Sequence, residues 1–457
     1  MRPRILSAFV ALSIGSLLGT ALAHAQELPR RGLFGAGAAA VSPEKREALK
    51  LGEQAGIIIE RIIPGSPAAS AGLKPDDLIT RLNETAIASP EDFVGIMRRT
   101  PAGTKLKVGI IREGKPQEVE LTTAERPAET STEHDVIYGH VKVSDLRIRT
   151  YITKPRGDEK RPAVLMMLGL GNGPLEFAQA SPQQPAHPFK QLIDGMTKQG
   201  YVTMRVDRPG VGDSDGGMPA DQPLSLDIET GRAALKALAA LPYVDSTRVF
   251  VYGHSAAGTI TPLIVEAHKV AGVVTFAAAV RPTIEVVPAL HERMWKLEGI
   301  RDPELSQRMD VIKKFFDGLL VRKQTPDVLL ADNPTWRPML EQLVQQDRYV
   351  HGRHYSFLRD LGELPLKAAW GKVGAPVLVL QGAADYVIDP VDQPLIVAAV
   401  DAGKPGQATF KKIANLDHGY GEAVDTEESL INSQNATFNP VIVRELTEWM
   451  KAVPSRS

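Results

Sequence analysis

The sequence predicts a large, mainly parallel α/β domain over residues 134–457 and a small α+β domain over residues 48–123. Three observations lead to this prediction. Strand-like runs alternate with helical patterns in the larger unit, and one buried run, 248–252, leads directly into a turn rich in small residues. Residues 124–133 carry Glu, Thr, Ser and Pro without an apolar run, which indicates an interdomain linker. The length of 457 residues also favours more than one domain.

The first 25 residues are typical of a secretory signal peptide. Arg2 and Arg4 precede an apolar run that ends at Leu22, and Ala23-His24-Ala25 is a small-x-small cleavage site. An uncleaved anchor is the alternative, but the glycines in the run favour cleavage. We therefore expect an exported protein, periplasmic or secreted, with no membrane span after cleavage and a flexible lead-in over residues 26–47.

Composition and motif spacing exclude several kinds of function. The net charge of −1 argues against nucleic acid as a partner, and the absence of cysteine excludes disulfides, thiolate metal sites and a cysteine nucleophile. Gly169-x-Gly171 follows a strand, but Pro174 stands where a dinucleotide fingerprint needs its third glycine. His291-Glu292 fails the zinc motif because Trp295 replaces the second histidine. We predict no cofactor and no metal.

The small domain begins with a β-type run over residues 56–63 that ends at Pro64-Gly65. Ser66 suits a helix N-cap, a second helix begins at Pro90, and residues 105–122 are interpreted as a closing hairpin. The segment resembles a bacterial PDZ domain. The likeness is carried by Pro64-Gly65-Ser66-Pro67-Ala68, Ala71-Gly72-Leu73-Lys74-Pro75-Asp76-Asp77 and Arg112-Glu113-Gly114.

The resemblance implies a peptide groove between the strand starting at Ile57 and the helix starting at Pro90. Its carboxylate-binding loop would be Gln54-Ala55-Gly56-Ile57, which matches the apolar–Gly–apolar pattern of the family with a small Ala in the first position. A peptide C-terminus would pair with a free strand edge and place its carboxylate on loop N–H groups. The alternative is a PDZ fold used only for docking or spacing.

The strongest chemical signal is Gly253-His254-Ser255-Ala256-Ala257-Gly258, which lies between a buried strand and a helix. Small residues around Ser255 permit a sharp turn that exposes its hydroxyl at the carboxyl end of the strand. Serine is a weak nucleophile without a base, so a histidine held by a carboxylate is required. His254 is adjacent in sequence and is expected to point away and be structural.

Two downstream segments supply the base and the acid. Asp385 follows the buried strand 377–382, and His418 follows the strand 408–413, so both are expected at the sheet edge that carries Ser255. Asp389 and Asp392 are competing acids, but they lie further into the loop. Asp417 could orient the ring of His418, yet is more typical of a solvated loop residue. The predicted triad is Ser255, Asp385 and His418.

An oxyanion hole needs two backbone donors. We expect one to be the N–H of Ala256, immediately after the nucleophile. The other should come from the glycine-rich loop 169–173, with Leu170 as the predicted donor and Gly171 as the alternative.

These residues resemble the α/β-hydrolase superfamily, within its serine-aminopeptidase-like and esterase branch. The resemblance implies a lid insertion, here about residues 281–374. Most of its apolar residues are expected to be core, and candidates to line an acyl or side-chain pocket are Trp295, Phe315, Phe316 and Trp336. Two departures weaken any inference about substrate: Leu168 replaces a usual histidine, and Ala257 replaces a glycine. The motifs are Gly169-Leu170-Gly171, Asp207-Arg208-Pro209-Gly210-Val211-Gly212-Asp213-Ser214, Gly253-His254-Ser255-Ala256-Ala257-Gly258, Gly382-Ala383-Ala384-Asp385 and Asp417-His418-Gly419.

Three functions are compatible with the sequence. The first is an exported serine hydrolase that cleaves small carboxylic esters through an acyl-enzyme intermediate. The second keeps the same triad but cleaves short peptides, as a peptidase or aminopeptidase whose PDZ domain presents C-terminal tails. The third is a non-catalytic binding protein built on a hydrolase fold.

Overall fold

The computed structural model describes residues 28–169, 171–178, 186–266, 268–432 and 435–456. The expected signal peptide lies outside these residues, as does the first part of the expected lead-in. Across the described ranges, we find no helix with the length and apolar character needed to cross a membrane.

The N-terminal domain is a small sheet with short helices. Its main strands run in the order β2-β3-β4-β6-β7, with β5 paired to β4, and β1 pairs separately with β8. The strands are Gly32–Leu33 (β1), Ala36–Ala40 (β2), Ile57–Ile62 (β3), Leu78–Leu82 (β4), Thr85–Ala86 (β5), Lys105–Arg112 (β6), Lys115–Thr122 (β7) and Ala124–Glu125 (β8), and the helices are Pro43–Ala48 (α1), Pro67–Ser70 (α2) and Pro90–Met97 (α3).

The expectation of a flexible lead-in over residues 26–47 is wrong for the residues that the structure describes. The strand Ala36–Ala40 pairs antiparallel with β3, and Ser42 caps the following helix through its side chain. Phe34 is 5% exposed and packs edge-on against Phe93 of α3, with ring centroids 5.0 Å apart. The glycine- and alanine-rich strand has no apolar period of its own, so only its pairing with a distant strand defines it.

The C-terminal domain has the predicted α/β architecture. Its eight-stranded sheet runs β19-β18-β14-β13-β11-β12-β10-β9, parallel from β19 to β12 and antiparallel at the β10 and β9 edge. Its strands, including the small sheet β15-β16-β17, are His134–Val143 (β9), Leu146–Pro155 (β10), Arg161–Leu168 (β11), Val202–Val206 (β12), Val244–His254 (β13), Gly272–Phe276 (β14), Val344–Gln345 (β15), Tyr349–Val350 (β16), Arg353–His354 (β17), Val377–Gly382 (β18) and Ala408–Ile413 (β19).

Helices cover both faces of this sheet. α4 and α15 pack on one face against Phe250 and Tyr252, whereas α5, α6 and α13 pack on the other against Val249 and Val251. This alternation is the period of two expected for a strand buried on both sides. The helices are Pro188–Lys198 (α4), Leu224–Ala239 (α5), Ser255–Val265 (α6), Thr283–Leu297 (α7), Glu304–Phe316 (α8), Pro326–Asp332 (α9), Arg337–Leu340 (α10), Tyr355–Glu363 (α11), Leu366–Gly371 (α12), Asp392–Gly403 (α13), Thr426–Asn432 (α14) and Val441–Ala452 (α15).

The expected lid corresponds to the residues between β14 and β18, which contain α7 to α12 and the small sheet. Phe315 and Phe316 are fully buried in the core that also contains the α5 and α6 side chains. Trp295 and Trp336 pack partly buried against the same core. The two phenylalanines therefore stabilise the lid against the sheet instead of facing an open pocket.

The two domains meet at a buried carboxylate, Asp213. It accepts hydrogen bonds from the Arg31 amide and from Arg30 Nη1, both at 3.0 Å. Arg126 Nη2 lies 2.5 Å and Arg149 Nη2 lies 3.4 Å from the same group. Hydrogen bonds to an ionised carboxylate are stronger than neutral ones, so this cluster fixes the segment before β2 against the larger domain.

The segment 124–133, expected to be a linker, is anchored at its start and at its middle. Its first residues form β8 on β1. Glu129 is 3% exposed, pairs with Arg205 Nη1 at 2.9 Å and accepts the Phe177 N–H at 3.0 Å. Buried charges persist in proteins when they are paired in this way. The connection is therefore an ordered part of the interface between the domains.

Candidate active site

The turn at Ser255 is a strained junction between β13 and α6. Ser255 adopts a φ of 55°, a left-handed conformation that is uncommon for residues other than glycine. A Cβ on Gly253 would lie 2.7 Å from Gly258 Cα, and one on Gly258 would lie 2.7 Å from Thr275 Oγ1. Both positions therefore require glycine, and the crowded packing around them holds Ser255 in its strained conformation.

The structure brings the three predicted triad residues together. Ser255 Oγ lies 3.1 Å from His418 Nε2, and His418 Nδ1 lies 3.0 Å from Asp385 Oδ2. Asp385 follows β18 and His418 lies on the loop after β19, so parallel strands deliver both groups to the edge where β13 ends. These distances are within hydrogen-bonding reach for a nucleophile, a base and a carboxylate that orients the base.

Hydrogen bonding determines which nitrogen of His418 carries its proton. The Asp385 carboxylate can only accept, and its other oxygen already accepts the N–H groups of Val387 and Ile388 at 2.8 and 3.0 Å. His418 Nδ1 must therefore be the donor to Asp385. Nε2 is then free to accept the Ser255 hydroxyl, which is the arrangement a general base requires.

Electrostatics reinforce this assignment. Burial works to lower the pKa of His418, but the charge and hydrogen bond of Asp385 outweigh it, so the pKa lies above its usual value. Burial works to raise the pKa of Asp385, yet the charge of His418 and its hydrogen bonds hold that pKa below the usual value. Asp385 is thus ionised and supports a positive charge on the imidazole.

The competing acids have other partners. Asp389 pairs with Arg281 at 3.0 Å and Arg293 at 3.2 Å. Asp392 is buried and accepts the N–H groups of Val280 and Arg281, each at 2.9 Å. These contacts tie the loop after β18 to the start of the lid, which explains why two more carboxylates occur near Asp385 in sequence.

His254 and Asp417 have structural contacts around His418. His254 Nε2 lies 2.9 Å from the His418 carbonyl oxygen and donates to it, because a carbonyl can only accept. Burial, and then the charge of His418, lower the pKa of His254 to about 3, so its ring is neutral. Asp417 Oδ1 accepts the Gly421 N–H at 2.6 Å. Both side chains fix the loop that carries the base.

Of the two expected oxyanion donors, the structure describes Ala256 but not Leu170. Ala256 is the second residue of α6, where backbone N–H groups have no partner within the helix, so its amide is available beside Ser255. Leu170 lies outside the described residues. Its neighbour Gly169 has a φ of +76°. A Cβ on Gly169 or Gly171 would meet none of the described atoms within 4 Å, so the described residues leave space beside both glycines.

A contact network beside this loop was not predicted from the sequence. Arg208 lies in a cavity of about 200 Å³ that is also lined by Gly169 and Gly171, and its Nη1 donates to the Gly171 carbonyl at 3.3 Å. Arg208 belongs to a motif quoted in the sequence analysis, but neither its partners nor its proximity to Gly171 follow from the motif.

The predicted PDZ groove beside Ile57 is wrong. The strand Ile57–Ile62 is paired on both sides, with β2 and with β4, so it has no free edge for a peptide. Gln54 and Ala55 precede that internal strand, and Gly56 and Ile57 are buried. The free edge belongs to Ala36–Ala40, and α3 contacts that strand. The apolar–Gly–apolar signal that could have found it is Phe34-Gly35-Ala36.

Known proteins resemble this chain in two separate regions. Residues 37–123 match the PDZ domain family, and residues 185–420, just over half of the chain, match the family described as Serine aminopeptidase, S33. Esterase EstD of Thermotoga maritima is 26% identical over 307 residues, which cover 65% of this chain and 64% of EstD.

The PDZ region has its own relatives. Periplasmic pH-dependent serine endoprotease DegQ of Escherichia coli is 39% identical over 93 residues. That match covers 20% of each protein, so this chain spans about a fifth of the length of DegQ.

Solved α/β structures resemble the chain at low identity. Est1E from Butyrivibrio proteoclasticus is 15% identical with a TM-score of 0.41, covering 69% of this chain and 97% of Est1E. An acylaminoacyl peptidase of Pyrococcus horikoshii is 13% identical with a TM-score of 0.44, covering 78% of this chain and 47% of the peptidase. The family match over more than half of the sequence is the finding that classifies the chain. The chain therefore belongs to the Serine aminopeptidase, S33 family of α/β hydrolases, and it carries a PDZ domain in front of the catalytic fold.

Proposed function

We propose that this protein is an exported serine hydrolase that cleaves small carboxylic esters through an acyl-enzyme. The observation that carries the proposal is the hydrogen-bonded chain from Ser255 through His418 to Asp385, built on a turn that holds Ser255 at a φ of 55°. A strained, half-buried serine with an imidazole hydrogen-bonded beside it is the arrangement used for nucleophilic attack on a carbonyl.

In the first half-reaction, Ser255 Oγ bonds to the carbonyl carbon while its proton moves to His418 Nε2. The N–H of Ala256 and a donor from loop 169–171 stabilise the oxyanion. The ester C–O bond then breaks, and the imidazolium gives its proton to the departing alcohol. Water, deprotonated by the same imidazole, releases the carboxylic acid and restores Ser255.

The choice of esters over peptides rests on one relative. The protein named esterase EstD resembles the chain over 65% of its length, including the catalytic domain, whereas the resemblance to the endoprotease DegQ stays within the PDZ region. Peptide hydrolysis is the second candidate, because the family is described as serine aminopeptidases and a PDZ domain can present chain ends.

Turnover assays separate these two functions. The purified chain should hydrolyse p-nitrophenyl butyrate faster than aminoacyl p-nitroanilides, and a fluorophosphonate should label Ser255. Ser255→Ala should lower kcat for the ester by about 10³-fold or more and abolish labelling. Ser306→Ala, which changes an exposed serine on the lid, should leave both unchanged. Faster amide cleavage would favour the peptidase. An absence of turnover and of labelling would leave the non-catalytic alternative.

We also propose that the PDZ domain docks peptide C-termini along the free edge of β2, between Ala36–Ala40 and α3. An added strand would satisfy the unpaired backbone groups of that edge.

Export of the protein is part of the same proposal. It is supported by the signal-like first 25 residues and by the periplasmic DegQ and DegP relatives of the PDZ region.

A further inference from the structure

One arginine outside the triad contacts the loop that follows β11 and is expected to form part of the oxyanion hole. Arg208 is 7% exposed and lies at the carboxyl end of β12, next to the end of β11 from which the loop emerges. Its Nε and Nη2 donate to the two oxygens of Asp227 at 2.8 and 2.9 Å. This paired contact with a carboxylate on α5 fixes the guanidinium in one orientation.

The remaining nitrogen of that guanidinium faces the loop. Arg208 Nη1 donates to the Gly171 carbonyl at 3.3 Å and to Asn172 Oδ1 at 3.2 Å. Gly171 directly follows the expected oxyanion donor and is itself the alternative donor. The Gly171 carbonyl belongs to the same planar peptide group as the Asn172 N–H, so this hydrogen bond restricts that plane and holds Gly171 in place beside the end of β11.

Among the described residues, close packing does not define this loop, because a Cβ on Gly169, Gly171 or Gly173 would meet none of their atoms within 4 Å. A further contact comes from the lid, where the Gly352 carbonyl accepts a hydrogen bond from Asn172 Nδ2 at 3.0 Å. The next lid residue, Arg353, lies 3.5 Å from the Asp227 carboxylate that also holds Arg208.

We propose that Arg208 is a positioning residue for the hydrolytic reaction, which holds Gly171 and Asn172 so that the Gly171 amide faces the oxyanion formed at Ser255. The proposal rests on the proposed serine-hydrolase function. Arg208 touches neither Ser255 nor His418 in the contacts described, so it acts through the loop. Preorganised donors at an oxyanion lower the barrier because they need no rearrangement when the charge develops.

The experiment measures kcat, KM and the inhibition constant of an arylboronic acid, whose tetrahedral adduct with Ser255 places an oxygen in the oxyanion hole. In Arg208→Met we expect kcat for p-nitrophenyl butyrate to fall by about ten- to a hundredfold. This fall should not exceed the fall in kcat that follows removal of one direct oxyanion donor. KM should change by less than about threefold, whereas the affinity for the boronic acid should fall in parallel with kcat.

Arg147→Met is the matched control. It removes a different arginine, which pairs with Asp215 at 2.9 Å. Asp215 lies on the segment after β12 that also carries Arg208, but Arg147 belongs to β10. Its kcat should stay within about twofold of the starting protein, as expected for a partly exposed ion pair. Millimolar guanidinium should restore part of the activity of Arg208→Ala, because it can replace the missing donor.

Three outcomes would overturn the proposal: unchanged kcat and boronate affinity in Arg208→Met, an equal loss in Arg147→Met, or a loss in KM alone. If Arg208→Met does not fold, Arg208→Lys decides, since one ammonium cannot span Asp227 and Gly171 together. Full kcat in that folded lysine variant would contradict the positioning role. If the unmodified chain neither turns over esters nor reacts with fluorophosphonate, the proposed function itself fails and this role fails with it.

Discussion

The proposed active site has two sides that are built in different ways. On the nucleophile side, Gly253 and Gly258 are so crowded that a Cβ on either would overlap neighbouring atoms. On the side of the proposed oxyanion hole, a Cβ on Gly169, Gly171 or Gly173 would meet none of the described atoms within 4 Å. Close packing therefore fixes the hydroxyl of Ser255, whereas hydrogen bonds with the Arg208 side chain and the Gly352 carbonyl hold Gly171 and Asn172.

This difference shows which parts of a catalytic site can tolerate change. The nucleophile side combines a strained residue, a short hydrogen-bond chain and backbone contacts at van der Waals distance, so a small displacement affects all of them. The oxyanion side depends on a few directed hydrogen bonds. An added methyl group there should leave activity nearly unchanged, whereas loss of one of these hydrogen bonds should lower it. Three substitutions test this contrast.

The largest effect is expected for Asp385→Asn. The pKa of His418 lies above its usual value because Asp385 outweighs the effect of burial, and catalysis needs the neutral imidazole, so activity rises with pH through that pKa. The asparagine removes the charge, lowers the pKa of His418 and shifts the acid limb of kcat/KM to lower pH. We expect kcat to fall by about 10²- to 10⁴-fold. A pH–rate profile measures both effects.

Asp389→Asn is the control for that profile, because Asp389 pairs with Arg281 and Arg293 rather than with the base. Its acid limb should stay in place. If the limb moves in Asp389→Asn and not in Asp385→Asn, Asp385 is not the orienting carboxylate.

Gly253→Ala should have the next largest effect. The new methyl group would lie 2.7 Å from Gly258 Cα, and it would also overlap Thr261 Oγ1, so the backbone of the turn must shift. Overpacking of this kind costs about 1–3 kcal/mol of unfolding free energy. We also expect kcat to fall at least about tenfold, because the shift displaces Ser255 relative to His418. Urea unfolding and ester turnover are the measurements, and unchanged values for both would show that the turn is not close-packed.

Gly171→Ala should have the smallest effect. The methyl group would meet none of the described atoms within 4 Å. Its unfolding free energy should change by no more than about 0.5 kcal/mol, with a slight gain from the less flexible unfolded chain. We expect kcat to stay within about threefold. A loss as large as that of Gly253→Ala would mean that the two sides of the site are built alike.

The triad prediction draws on local sequence signals, and in the structure the three predicted side chains lie within hydrogen-bonding distance. Ser255 lies in a short motif between a strand and a helix, and Asp385 and His418 each follow a strand at the same sheet edge. The alternation of strands and helices likewise predicts the α/β fold of the larger domain, which the family match confirms. In each case, residues close together in sequence determine the local structure.

The parts that sequence reasoning missed depend on distant contacts. The strand Ala36–Ala40 exists because it pairs with β3, and its glycines and alanines carry no period that predicts a strand. The partners of the oxyanion loop are 37 residues away at Arg208 and 180 residues away at Gly352. No spacing rule connects such residues, so only coordinates reveal them.

The arginine cluster around Asp213 has a consequence for the use of this enzyme. A fragment that begins after residue 126 would retain Asp213 and Arg149 but lose the contacts from Arg30, Arg31 and Arg126. A buried anion without its partners is costly, so the catalytic half is not a portable module. Transplanting it into another protein would require a neutral residue at position 213, or a replacement for the basic segment that now covers it.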